Sequence, residues 1–496
     1  MQPITMSTEP RANYGKLKLL IDGRWVESGS TELGEAYDPG KGAQVAQVPF
    51  ALPEEADRAV EAAQRAFEKW REISILERVK YLYKLKEVME RRSEELATLN
   101  TQNHGKTLDE SRGELKRSIE NVDVAIATAY TLAKGDTLDQ IAAGIDVSMS
   151  KEPLGVFAVV CPFNFPLMVP FWFIPYAIVL GDTLVVKPSD LTPVPMQRVA
   201  ELMQEEVGLP PGVINVVHGG RQVVERLIAD RGVKGVTFVG STPVARQIYR
   251  MAGEHGKRAI ANGGAKNCVL VMPDADLDGS MSNLVSSFFG NTGQRCLAGA
   301  NLISVGDVHD PLLSKFTKTA LALKVGYGLE NGVQMGPLVT EKARKRVSDY
   351  VATGVAEGAK PVSDGRTLQV LEYPNGYYLG ATVLDQVTPD MRIAREEVFG
   401  PIASVIQADS LDKAIEMING GTNFGNMACI YTSSGKSARE FRRRVDAGNI
   451  GINIGVAAPS AYYPFGGRRD SFYGVLHAQI DTVEFFTDKK VTISKW

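Results

Sequence analysis

Gly293-Gln294-Arg295-Cys296 follows the apolar run Leu284–Phe289 and a glycine-flanked polar turn. A thiol placed there can sit at the floor of a cleft, where its thiolate can attack an electrophilic carbonyl carbon. Arg295 next to it in sequence is a source of positive potential, which lowers a thiol pKa from its ordinary value of about 8.5. Taken alone, Cys296 also reads as a small inert hydrophobe. An acyl group left on sulfur needs a base before water can remove it. The segment in which that base is sought, Ala261-Asn262-Gly263-Gly264-Ala265-Lys266-Asn267, offers the amide of Asn262 and no carboxylate. This points away from hydrolysis and towards a thiol acceptor, which is fractionally ionised near neutral pH and needs less help.

Other residues join it at a distance. In Cys161-Pro162-Phe163-Asn164-Phe165-Pro166, prolines stiffen a loop whose apical amide, Asn164, can donate to a developing oxyanion or cap its own backbone. Lys187-Pro188-Ser189-Asp190 puts a cation and a carboxylate where ribose hydroxyls can be met, and Asp190 disfavours a 2′-phosphate; a solvated turn is the plainer reading. Gly240-Ser241-Thr242 stands between a strand pattern and a helix start, where free N–H groups can meet a pyrophosphate or Ser241 can simply cap. No GxGxxG fingerprint is present. Glu397 and Phe399 in Glu396-Glu397-Val398-Phe399-Gly400-Pro401 can hold a ribose and pack on a flat ring, or form a surface turn.

These loops need a scaffold. Short β-rich runs at Gly155–Cys161, Thr183–Lys187, Val213–Val217, Gly235–Val239 and Cys268–Met272 follow one another, the first four separated by apolar or amphipathic segments. Such alternation implies crossovers and a parallel, doubly wound α/β sheet, with ligands beyond the carboxyl ends of its strands. Before it, the N-terminal third reads as mostly helical. One helix starts at Pro53, with Ala56, Val60, Ala63, Phe67 and Trp70 on one face; others run from about Leu76 to Asn100 and Leu108 to Ala133. A second α/β series runs from about Asn301 to Asn453. Thr137–Ser150 and the tail Asp481–Trp496 alternate weakly, like exposed strands that pair across subunits.

At 496 residues the chain has room for two or three domains. Its net charge of -3 gives no broad case for nucleic acid or an acidic membrane surface. The longest apolar run, Pro166 to Leu180, is short for a span and broken by Pro170 and Pro175, so no membrane association is expected. Four cysteines, 161, 268, 296 and 429, have neither paired nor metal-ligand spacing. Three lie in apolar strand-like runs as buried free thiols, which suits a reducing, cytoplasmic setting; the first 15 residues are polar, without a signal-peptide pattern.

Order and spacing of these pieces make them specific together. The Asn164 loop, Lys-Pro-Ser-acid, Gly-Ser-Thr, Gly-Gln-Arg-Cys, Glu-Val-Phe-Gly-Pro and Pro464-Phe465-Gly466-Gly467 resemble the aldehyde dehydrogenase superfamily over nearly the whole chain. The resemblance implies Cys296 as nucleophile, Asn164 as oxyanion donor, and Phe163, Lys187, Asp190, Gly240, Ser241, Glu397 and Phe399 as NAD contacts. It also implies an NAD-binding domain (16–133 and 151–262), a catalytic domain (263–453), oligomerisation segments (134–150 and 478–496), and a substrate loop with a C-terminal bridge (454–477). Hydrolytic members usually carry glutamate at position 262, and a second carboxylate where Gly474-Val475-Leu476-His477-Ala478 stands. Asn262 with Gly-Ala-Lys-Asn, Arg295, Phe472 and the closing Lys495-Trp496 are similar instead to the CoA-acylating methylmalonate-semialdehyde dehydrogenase branch. That branch implies a small aldehyde bearing a carboxylate, clamped by Arg117 and Arg295, coenzyme A as acyl acceptor, and a homo-oligomer. Arg117 reads equally as a helix-surface partner of Glu120 or Glu114.

Overall fold

The computed structural model describes residues 10–474 and 479–496. Val475, Leu476, His477 and Ala478, where the C-terminal carboxylate of hydrolytic relatives was sought and the bridge meets the tail, lie outside the described residues, as does the start of the polar N-terminus.

Val156–Val160 and Thr183–Lys187 are buried at every position, as their unbroken apolar sequences require of strands covered on both faces. They form the middle of an eight-stranded sheet. Its order is Arg24–Val26, Leu19–Ile21, Ile214–Val216, Thr183–Lys187, Val156–Val160, Val233–Val239, Arg258–Asn262 and Phe472–Gly474. The five strands between Ile214–Val216 and Arg258–Asn262 are parallel, and antiparallel strands close both edges. The chain moves outward from Val156–Val160 and then returns to lay Val233–Val239 on its other side. That reversal opens a crevice beyond the carboxyl ends of these two strands.

Asn267–Val271 starts a second, seven-stranded sheet, ordered Lys360–Ser363, Thr382–Asp385, Ile402–Ala408, Gly299–Val305, Asn267–Val271, Met427–Tyr431 and Asn449–Ile452. All its pairings are parallel except that of Lys360–Ser363. The α/β class with doubly wound sheets is the one expected.

Two expectations need correction. Residues Leu19–Pro49 are not helical: they form the hairpin Leu19–Ile21 with Arg24–Val26, and Leu33–Asp38 with Ala43–Pro49. The first two of these strands, three residues each, are too short to show a period. The helical pattern at Leu76–Asn100 is two helices, Ile75–Arg91 and Ser93–His104, the second ended by Gly105 at φ 96°. The weakly alternating segments also find partners within the chain. Thr487–Lys495 pairs with Ile145–Pro153 from Thr487↔Pro153 to Lys495↔Ile145, and Asp136–Ala142 adds a third antiparallel strand.

Candidate active site

Helix Leu277–Phe289 delivers the chain into a turn in which Asn291 (φ 52°), Thr292 (φ 55°) and Gly293 (φ 69°) are all left-handed. For the two residues with side chains this conformation costs roughly 1–2 kcal/mol each. Local bonds offset the cost. Asn291 Nδ2 donates to the Gln294 carbonyl at 3.0 Å and Thr292 Oγ1 to that of Gly336 at 2.9 Å, while Gln294 Oε1 accepts from Val339 N at 3.1 Å. Gly293 cannot be replaced: a Cβ there would stand 2.2 Å from the Gly400 carbonyl oxygen. Three residues on, the Cys296 carbonyl accepts from Asn267 Nδ2 at 2.8 Å and Asn426 Nδ2 at 2.9 Å. The backbone of the cysteine is therefore pinned to the second sheet, leaving Sγ facing a cavity.

Asn164 lies on the other bank. Its Nδ2 donates to the Gln294 carbonyl at 3.1 Å, which brings the amide beside the Cys296 turn and leaves one N–H uncommitted. The loop that carries it is anchored by a pair that motif reading missed. Lys106 Nζ donates to the Asn164 carbonyl at 2.7 Å and to Glu114 Oε2 at 2.6 Å, and lies 4.2 Å from the centre of the Phe165 ring. Glu114 also accepts from Asn100 Nδ2 at 2.8 Å, Leu167 N at 2.8 Å and Met168 N at 3.1 Å. Both charged side chains are fully buried. Thr107 followed by Glu110 is a legible capping box for helix Leu108–Thr131, and the structure forms it. Nothing local announces that Lys106 and Glu114 face the Asn164 loop.

The cavity holds about 230 Å³ and is walled by Phe165, Met168, Trp172, Leu297 and Phe465, with Cys296, Arg295 and Arg117 among its lining residues. It is smaller than the ~300–1,000 Å³ of sites for drug-sized molecules, so it suits a short substrate. Arg117 lines the cavity and also donates to Glu120 Oε2 at 2.8 Å, the helix-surface pairing expected of it, while Glu114 is taken by Lys106. Arg295 Nη2 donates to the carbonyls of Ser286 and Ser287, at the C-terminal end of helix Leu277–Phe289, and its buried Nε has no partner.

The remaining predicted residues gather at the first sheet's carboxyl edge. Lys187 and Asp190 pair at 2.9 Å after strand Thr183–Lys187. Gly240 N donates to the Asn262 carbonyl at 3.0 Å, and Ser241 occupies the N-cap of helix Thr242–Glu254 without using its hydroxyl as a cap. Asn262 is only 4% exposed, yet neither atom of its side-chain amide has a hydrogen-bond partner. Glu397, 132 residues on, accepts from Ala265 N at 2.7 Å, so close that a Cβ at Gly264 would meet Glu397 Oε2 at 2.5 Å. Phe163 stacks on His104 at 6.1 Å and meets the edge of Phe399, itself left-handed at φ 55°, at 5.9 Å.

Burial reshapes the acid–base chemistry. The Cys296 thiol is pushed up to about 12 by desolvation, against which Arg295 pulls down less strongly. The activation expected from Arg295 is thus outweighed by desolvation of the thiol itself. Glu397 is raised to about 7 and Lys266 lowered to about 8, both chiefly by burial. Alkylation of Cys296 by iodoacetamide in the ligand-free protein is accordingly expected to rise about tenfold per pH unit from pH 7 to 10 without a plateau, following the thiolate fraction. Peptide mass spectrometry separates it from Cys161, Cys268 and Cys429, which are buried. A plateau below pH 8 would show a stabilised resting thiolate.

The model of the aldehyde dehydrogenase family matches residues 25–492. A malonate-semialdehyde dehydrogenase of Halalkalibacterium halodurans is 44% identical over 482 residues, 97% of this chain and 98% of that one. The crystal structure of the methylmalonate-semialdehyde dehydrogenase from Oceanimonas doudoroffii superposes with a TM-score of 0.95 at 40% identity, covering 97% of this chain and 98% of that chain. A Sinorhizobium meliloti relative, whose crystal structure is complexed with NAD, has a TM-score of 0.95 at 35% identity over 97% of this chain and 98% of its own. A motif set spread over some 300 residues and a family match along nearly the full length have a single explanation: the chain belongs to the aldehyde dehydrogenase family.

Proposed function

We propose that this protein is an NAD-dependent, CoA-acylating dehydrogenase of malonate or methylmalonate semialdehyde, releasing acetyl-CoA or propionyl-CoA and CO2. The observation that carries the acylating assignment is Asn262: an uncharged amide, buried and without a partner, in the position where hydrolysis would call for a base.

The residues fit the cofactor. Asn262, Gly240 and the start of helix Thr242–Glu254 meet at adjacent strand ends, and an orphaned buried amide there calls for a polar ligand. Lys187 and Asp190 would face the ribose, Glu397 and Phe399 the nicotinamide end, with Phe163 behind Phe399. NAD, when bound, supplies the hydride acceptor. For its part the protein brings the aldehyde to Cys296. Arg117 and Arg295 draw the substrate carboxylate into the cavity, Arg117 exchanging Glu120 for it. The Cys296 thiol gives its proton to solvent as sulfur bonds to the aldehyde carbon, and the uncommitted Asn164 N–H with the Cys296 backbone N–H holds the oxyanion. Once the thiohemiacetal is oxidised to a thioester, the CoA thiolate attacks its carbonyl carbon and Cys296 departs as thiolate. Cleavage of the C–CO2 bond leaves its electron pair on the carbon next to the thioester, which a proton then takes up.

The three larger sheets take separate tasks in this reading: the first belongs to the cofactor-binding domain (16–133 and 151–262), the second to the domain with the nucleophile (263–453), and the third to the segments that assemble subunits (134–150 and 478–496). Leu138, Ile141, Val491, Ile493 and Trp496 are exposed on that third sheet, an apolar face that suits a homodimer or homotetramer. No helix among the described residues is long and apolar enough to cross a membrane. Four unpaired cysteines suit the cytoplasm.

NADH formation from malonate semialdehyde, followed by absorbance, tests the function. Steady turnover is expected only with CoA; equal turnover without it would replace this reading with hydrolysis to the free acid. One observation favours that second reading: burial raises the Glu397 carboxyl, packed against Gly264, to about 7, a value suited to a general base. Asn262→Glu addresses the same point. It is expected to raise CoA-independent turnover by roughly 10–100-fold, since a positioned base contributes about 10²–10⁴ and burial will keep this one partly protonated. No gain, in a variant that still turns over with CoA, would remove position 262 from the argument.

A further inference from the structure

Of the three left-handed residues ahead of Cys296, Asn291 is held from a different part of the chain. Its backbone N–H donates to Glu110 Oε1 at 2.5 Å, across 181 residues, whereas Thr292 and Gln294 find partners among residues 336–339. Glu110 sits in the first turn of helix Leu108–Thr131, where its other oxygen accepts from Thr107 N at 2.9 Å and Thr107 Oγ1 at 3.1 Å. The two oxygens have separate employment. One closes the helix cap; the other reaches out of the helix to the turn. Capping alone needs only the first. Glu110 also lines the cavity together with Cys296 and Arg295, so a shift of the turn on this bond would displace the sulfur directly.

We propose that Glu110 is a positioning residue for the nucleophile: its carboxylate clamps the strained turn Asn291–Gly293 and thereby sets where Cys296 Sγ stands relative to the aldehyde and Asn164. The inference rests on the reading of Cys296 as nucleophile. It assigns Glu110 no proton transfer and no contact with the reacting atoms. The left-handed Asn291 is the reason a clamp is needed: freed of it, the residue relaxes towards ordinary backbone angles and the cysteine three peptide units beyond Gly293 moves with it.

Three variants of the full-length protein separate clamp from cap. Glu110→Ala removes both functions, Thr107→Ala weakens the cap and leaves the Asn291 bond, and Glu110→Gln keeps an acceptor for Asn291 N while turning a donor towards Thr107 N. The readouts are kcat and KM for the semialdehyde, the alkylation rate of Cys296 and the melting temperature. Glu110→Ala is expected to lose on the order of 10²-fold in kcat, the cost of misplacing a reacting group by about 1 Å, with a changed alkylation rate. Thr107→Ala should lose melting temperature but stay within about twofold in kcat, and Glu110→Gln should recover at least about tenfold of the loss despite its damaged cap. Equal kcat in Glu110→Ala and Thr107→Ala, or an unchanged alkylation rate in Glu110→Ala, would overturn the proposal. Should Glu110→Ala be too unstable to assay, Glu110→Gln and Thr107→Ala decide: kcat falling in step with melting temperature in both reduces Glu110 to a helix cap. Cys296→Ala keeps the two levels apart. Turnover surviving in that variant removes the nucleophile reading itself, whereas an inactive Cys296→Ala beside fully active Glu110 variants removes only the clamp.

Discussion

Cys296→Ala is expected to lower kcat for NADH formation by at least about 10³-fold, a loss in the range seen when a covalent nucleophile is removed. The fold should survive. The substitution deletes one sulfur facing a cavity, and the anchors of this segment, Asn267 Nδ2 and Asn426 Nδ2 on the Cys296 carbonyl, do not involve the side chain. Unchanged circular dichroism and melting temperature are therefore part of the expected result, and NAD should still protect the variant against heat. More than a tenth of wild-type turnover in this variant would mean that the acyl group is never carried on Cys296.

Glu114→Ala is expected to be the most destabilising of the single changes considered, by about 3–5 kcal/mol, the usual cost of breaking a buried ion pair from one side. Removal of Glu114 strands the Lys106 ammonium in a fully buried place with only the Asn164 carbonyl and the Phe165 ring for company. It also unbonds Asn100 Nδ2 and the backbone N–H groups of Leu167 and Met168. Three of these contacts, through Lys106, Leu167 N and Met168 N, fix the Asn164 loop, so kcat should fall with stability. Pairing the change with Lys106→Met discards the stranded charge and should return part of the stability, without restoring kcat. Denaturant unfolding alongside turnover measures both, and a double variant no more stable than Glu114→Ala would show that the ion pair is not the source of the loss.

Much of the fold was legible because it is locally encoded. Val156–Val160 and Thr183–Lys187 announce themselves as covered strands by unbroken apolar runs, and helix Pro53–Trp70 by spacing along one face. The misreadings have a common cause. Leu19–Ile21 and Arg24–Val26 are too short to carry a period, and the partner of Thr487–Lys495 lies more than 300 residues away in Ile145–Pro153, which no local pattern reveals. Arg295 was read as lowering the Cys296 pKa from adjacency alone; desolvation, a property of the packed surroundings, is the larger effect and has the opposite sign.

The sequence by itself determined the chemical inventory: a cysteine, two amides at 164 and 262, two arginines and a set of loop residues in a specific order, enough to identify the family and, through the amide at 262, to point to a thiol acceptor. Identity and order are one-dimensional facts, and a motif set states them fully. Only the tertiary structure decided which groups are free to act. It paired Arg117 with Glu120, left both atoms of the Asn262 amide without a partner, spent Glu114 and Lys106 on holding a loop, and brought Glu397 from 132 residues away onto Ala265. Partnership and burial depend on contacts between distant segments, and these set the energy of every charge and hydrogen bond in the site.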